Sequence, residues 1–232
     1  MAAHHASVCR RLPARSVRSR GLRPFRPQRL RSQEVQYAGY ADDILEICDA
    51  LDVMHGVFVG HSVSAMIGAL AAIKDPERFD QLVLIGPSPR YINDGDYIGG
   101  FTEKDIQGLL EFQESNYLGW SNTLAPVIMG NADRPDLAQE LANSFCRTDP
   151  EIAKQFAAVT FLSDNRADLC EVRTRSLILQ CQEDTIAPLP VGEYVNRHLP
   201  NSELVILNAT GHCPHLSAPE ETIAAMKSFL GR

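Results

Sequence analysis

The 232-residue chain is predicted to fold as an α/β domain, a mostly parallel sheet wound with helices and interrupted by a helical insertion. Three observations predict it. Short, wholly apolar runs end at glycine or at polar turns, as strands buried on both faces do. Amphipathic patterns of helical period alternate with those runs. A long middle stretch, residues 94–166, carries helical patterns with short breaks and no convincing strand.

Taken in order, Ile44, Ile47, Cys48 and Leu51 recur at helical spacing, with Asp42 and Asp43 near the positive end of that helix. Val57, Phe58 and Val59 form an apolar run closed by Gly60 and read as a buried strand. A helix follows over 62–74, because Ala65, Met66, Ala69, Leu70 and Ile73 share a face, and residues 82–85 then form a strand closed by Gly86 and Pro87. The insertion divides into helices over 102–116, 118–129, 134–144 and 149–161, with Thr102 and Asp149 as N-caps. The βα rhythm resumes with strands over 176–180 and 203–207 and helices over 191–198 and 219–230, Pro219 suiting a first helical turn. The core is thus 37–93 and 167–232, and 94–166 forms a lid-like insertion.

Composition narrows the function classes. The chain is 44% hydrophobic and 22% charged, ordinary for one globular domain. It has no apolar run of membrane-spanning length, and no apolar h-region with a small-residue cleavage site stands at its start, so neither a membrane span nor secretion is expected, cytoplasm is the default compartment and no membrane partner is expected. Residues 1–36 hold nine arginines and a single acid, Glu34, about +8; subtracting this from the formal charge of −7 leaves about −15 on the rest. That acidic body argues against a nucleic-acid partner. The basic segment lacks periodicity and is expected to be disordered. It reads as a transit peptide, as an arm for polyanions, or as an N-terminus altered by a misassigned start or a shifted frame. The six cysteines form no paired C-x-x-C spacing and imply no disulfide. His212, Cys213 and His215 lie close together, but Pro214 interrupts them, and neither metal nor cofactor is expected.

Chemistry concentrates at three strand ends. Strand, tight turn and helix surround Ser62 in G60-H-S-V-S64, the context of a nucleophile elbow, where small residues are needed two before and two after the serine. A serine opening a helix is also a common N-cap. Asp184 follows the strand SLILQ, with Glu183 as a rival carboxylate, and His212 follows the last strand after Gly211, with His215 as a rival base. Serine, acid and histidine each trail a different strand, in the chain order of this class of hydrolase. Such a set lets an imidazole accept the serine proton while the carboxylate orients it. The N–H of Val63 is one natural oxyanion donor. The second donor normally comes from a glycine-rich loop early in the sheet, and residues 1–36 contain none.

The segments GHSVSAMIG, LIGPSPRYIND, YIGGF, NYLGW, FLSDNRADL and GHCPHLS together resemble the RsbQ family of bacterial stress-pathway hydrolases, relatives of the plant strigolactone and karrikin receptors. The resemblance runs from Tyr37 to Leu230. It implies an α/β-hydrolase with a four-helix lid over a small hydrophobic pocket, hydrolysis of a small hydrophobic ester- or lactone-like molecule, and coupling to a regulatory protein partner. It makes Ser62, Asp184 and His212 the triad and puts Phe101, Trp120 and Phe161 on the pocket wall; packing between helices is the other reading of each aromatic. Family members begin with further strands and an oxyanion loop, so the N-terminal strands are expected to be absent here. That favours the altered N-terminus and a marginally stable, poorly active chain. Two functions stay open: a serine hydrolase, and a ligand-binding signalling protein with little or no turnover.

Overall fold

The computed structural model describes residues 36–231. The reading of residues 1–36 therefore lies outside the described residues, apart from Gln36, whose extended backbone caps the first helix. Helix α1 (Tyr37–Ala50) leads into strand β1 (Gly56–His61), helix α2 (Val63–Lys74) and strand β2 (Phe79–Ile85). Helices α3 (Glu103–Ser115), α4 (Tyr117–Met129), α5 (Pro135–Cys146) and α6 (Pro150–Leu162) make the insertion. Strand β3 (Arg175–Glu183), helix α7 (Leu189–His198), strand β4 (Ser202–Thr210), the single turn α8 (Pro214–Ser217) and helix α9 (Pro219–Phe229) complete the order.

Among the described residues the four strands form one parallel sheet in the order β1-β2-β3-β4. Strand period sorts its side chains onto two faces. Leu82, Leu84 and Ile178 enter a core with α1, α2 and Val195 and Leu199 of the α7 segment, while Val83, Ile85, Leu177 and Leu179 meet Met226 and Phe229 of α9. Both faces of β2 and β3 are covered, hence the unbroken apolar runs. Hydrophobic burial on this scale, about 25 cal/mol per Å², is what offsets the entropy of ordering the chain.

The insertion helices begin where their caps dictate. Thr102 accepts the N–H of Asp105, whose carboxylate accepts the N–H of Thr102 in return, a capping box; Asp149 accepts the N–H groups of Glu151 and Ile152. Tyr91, Ile106, Phe161 and Ile186 form a third cluster beneath these helices, at the C-terminal ends of the strands.

β1 is the weak border. Among the described residues it pairs with β2 alone, and Val59 is 48% exposed on the face that carries the half-buried Val57. An open edge beside an uncovered apolar face recruits other chains. We expect the full chain to self-associate as its concentration rises in sedimentation velocity, and Val59→Lys to suppress this. A concentration-independent monomer would mean that the edge is covered within the chain.

Candidate active site

The site begins with a close approach. A Cβ on Gly60 would stand 2.6 Å from the carbonyl oxygen of Ser64 and 2.8 Å from the Cα of Ala65, so only glycine lets α2 start this near the end of β1. The chain reverses at Ser62, whose φ of +57° and ψ of −125° lie in a region that residues with side chains seldom adopt. Ser62 donates its N–H to the carbonyl of Ile85 at 2.8 Å, and its own carbonyl accepts the N–H of Ala65 at 2.9 Å. Ser62 holds the N-cap position of α2, yet its side chain makes no capping bond. Its hydroxyl is used elsewhere.

The Oγ of Ser62 lies 2.7 Å from Nε2 of His212, and Nδ1 of the same ring lies 2.7 Å from Oδ2 of Asp184. Oδ1 of Asp184 accepts the N–H groups of Ile186 at 2.8 Å and Ala187 at 3.0 Å. With both oxygens engaged, the carboxylate cannot rotate away from the ring. The side chains of His212 and Asp184 are 4% and 1% exposed, so little water screens the pair. In this row a proton leaving Ser62 has an acceptor in line, and the imidazolium it creates rests against a fixed negative charge. The N–H of Val63 belongs to the first residue of α2, where the helix dipole favours an anion.

Of the rivals, Glu183 is exposed and accepts a bond from Oγ1 of Thr210 at 3.2 Å. His215 is exposed on α8, its ring centroid 4.6 Å from that of His61. The run His212, Cys213, His215 is split by the fold: His212 faces Ser62, while Cys213 and His215 come together with His61.

An apolar cavity of about 380 Å³ opens over the row, with Ser62, Val63 and His212 in its wall. Trp120 and Phe161 lie in its wall, and Phe101 does not. Its backbone bridges to Ile92, and its ring meets that of Phe161 edge-on at 6.4 Å. The short bridged turn around residues 92–101 holds it behind the wall.

Two neighbours escaped the sequence reading. Tyr91 brings Oη to 3.4 Å from the Oγ of Ser62, too long for a strong bond, and burial pushes its hydroxyl up to about 12. His61 donates from Nε2 to the carbonyl of His212 at 2.7 Å. Burial, ahead of the nearby His212 and His215, pushes the His61 imidazole down to about 3, so this ring is neutral. The only signal for either was proximity in a motif: His61 precedes Ser62, and Tyr91 lies in LIGPSPRYIND.

A family model described as the alpha/beta hydrolase fold matches residues 19–219, opening N-terminal to Tyr37, where the motifs begin. The chain belongs to the α/β hydrolase family. It is 40% identical over 194 residues to strigolactone esterase D14 of Arabidopsis thaliana, covering 83% of this chain and 72% of that protein. Karrikin insensitive 2 receptor CA of Petunia hybrida is 37% identical over 81% of this chain and 70% of its own. A solved hydrolase from Oleispira antarctica superimposes with a TM-score of 0.82 at 39% identity, over 85% of this chain and 72% of that one.

Gly211 tests how the histidine is held. At its φ of +89°, a Cβ would fall 1.9 Å from the carbonyl oxygen of Met129 at the end of α4. Gly211→Ala is expected to cost at least ~2 kcal/mol in urea unfolding, since both the backbone strain and the collision fall on one residue. An unchanged midpoint would show that the turn accommodates a side chain.

Proposed function

We propose that the chain is a serine hydrolase of RsbQ type that cleaves a small hydrophobic ester or lactone by acyl transfer through Ser62. The observation that carries this reading is the unbroken Asp184–His212–Ser62 hydrogen-bonded row ending in an apolar cavity of about 380 Å³, large enough for a small molecule. Ser62 Oγ attacks the substrate carbonyl carbon while its proton passes to Nε2 of His212. Asp184 stabilises the resulting imidazolium, and the N–H of Val63 meets the oxyanion. His212 then returns the proton to the departing oxygen, and water, activated by the same ring, releases the acid from Ser62. Trp120 and Phe161 supply apolar contact to the bound molecule.

A second reading, a ligand-binding signalling protein, draws on the relative named as a receptor in Petunia hybrida and on the direct contact between α4 and the His212 turn. On this reading an occupied cavity alters the insertion surface offered to a regulatory protein. Saturable ligand binding with no turnover would favour it over the hydrolase.

A fluorophosphonate is expected to label the chain at Ser62, with labelling and aryl-ester hydrolysis lost in Ser62→Ala. His212→Ala should lower kcat by ~10⁴-fold or more and His215→Ala by far less. Full hydrolysis by Ser62→Ala, or the reverse ranking of the two histidines, sinks the assignment.

A further inference from the structure

The ligand atoms of His61, Cys213 and His215 all lie within 4.8 Å of one another, beside the row, with the ring of His61 4.9 Å from that of His212. Two imidazoles and a thiol, with no carboxylate among them, suit zinc, cobalt or copper and not magnesium or calcium. The three reach this point from two parts of the chain: His61 ends β1, while Cys213 caps α8 and His215 lies within it. Pro214, which breaks the spacing in sequence, is the first residue of α8 and turns Cys213 and His215 toward the same point.

His61 is already held as a ligating ring is held. A carbonyl only accepts, so the 2.7 Å contact with the oxygen of His212 places the proton on Nε2 and leaves the lone pair on Nδ1. Metal-bound imidazoles characteristically donate their other N–H to a backbone carbonyl in this way. Cys213 is 3% exposed and His215 is exposed, which gives an inner anchor and an outer entry.

We propose that His61, Cys213 and His215 form a three-ligand site for a thiophilic divalent cation of the zinc class, and that filling it inhibits the hydrolase. The fourth position is left to water. Binding forms a metal–sulfur bond and releases the thiol proton of Cys213 to solvent. Donor atoms around tetrahedral zinc stand ~3.5 Å apart, so separations of up to 4.8 Å must contract by up to ~1.3 Å. Cys213 adjoins His212, and His61 adjoins Ser62, so the contraction pulls on both ends of the 2.7 Å bond between His212 and Ser62. A displacement of ~1 Å at reacting groups costs ~10²-fold in rate. The inhibitory half rests on the hydrolase reading; the binding half does not.

The full chain, stripped with a chelator, is titrated with Co²⁺ and then with Zn²⁺. One equivalent of Co²⁺ should give a thiolate-to-cobalt charge-transfer band in the near ultraviolet, discharged by Zn²⁺, absent in Cys213→Ser and weakened in His215→Ala. One equivalent of Zn²⁺ should lower aryl-ester hydrolysis more than tenfold, reversibly with the chelator, and the ratio of rates with and without zinc should approach one in Cys213→Ser. The absence of a band, or a band that persists in Cys213→Ser and disappears in Cys146→Ser or Cys170→Ser, overturns the site. A band without inhibition overturns the regulatory half. A chain with no hydrolysis at all refutes the hydrolase reading, and the cobalt band still tests the site.

Discussion

The backbone of Ser62 is bent into a conformation that costs of the order of 1–3 kcal/mol for a residue with a side chain, and the rest of the site depends on its staying there. Three things hold it. The parallel pairing of β1 with β2 runs as far as His61 opposite Ile85, so the strand is fixed up to the residue before the bend. The N–H of Ser62 then continues to the carbonyl of Ile85, and its carbonyl opens the first turn of α2. Finally, the bare Cα of Gly60 lets that turn close against the strand. Two backbone bonds at ~1 kcal/mol each, together with the burial of α2 from Ala65 to Ala72, exceed the strain. The result is a hydroxyl aimed at a cavity wall and a helix N-terminus directly behind it.

The insertion is part of this construction. The carbonyl of Ile128 accepts the N–H of His212 at 2.7 Å, and that of Val127 accepts from Oγ1 of Thr185 at 3.1 Å. Both acceptors lie near the C-terminal end of α4, where the last carbonyls of a helix lack partners within it. The loops carrying Asp184 and His212 satisfy them. Trp120, Leu124 and Ile128 of the same helix line the cavity. One helix therefore touches both whatever fills the cavity and the backbone that holds the histidine, and the hydrolase and receptor readings share this element.

Legibility in the sequence followed burial. β2 and β3 were readable because both of their faces are covered, which demands unbroken apolar residues. Their ends were not: β3 runs on through Gln182 and Glu183, and β4 through Asn208 and Thr210, since backbone pairing continues without regard to side-chain polarity. The single turn α8 was too short to show a period. Ser62, Asp184 and His212 stood out because each follows a strand. Tyr91 and His61 did not, because their roles are contacts: one to a serine 29 positions away, the other to a carbonyl 151 positions away. Phe101 packs on Phe161 and not in the cavity wall, because a motif gives proximity to a cavity and not the side of the wall on which a ring falls.

Glu183 ends β3 and Asp184 is the first residue beyond it, and burial separates them. The pairing with β4 is irregular between Cys181 and Glu183, and past that point Glu183 is exposed while Asp184 is buried. Burying Asp184 without partners would be prohibitive, as an uncompensated carboxylate costs several kcal/mol even after relaxation. The turn after β3 removes that cost by presenting the N–H groups of Ile186 and Ala187 to Oδ1, which leaves Oδ2 for Nδ1 of His212. The ring nitrogen facing a carboxylate must carry the proton, so Nε2 is left with its lone pair toward Ser62. The tautomer at one end of the row thus follows from two backbone bonds at the other. His215 stands on α8 beside His61, and the carboxylate of the row is engaged by His212, which is why proximity in sequence does not make the two histidines equivalent.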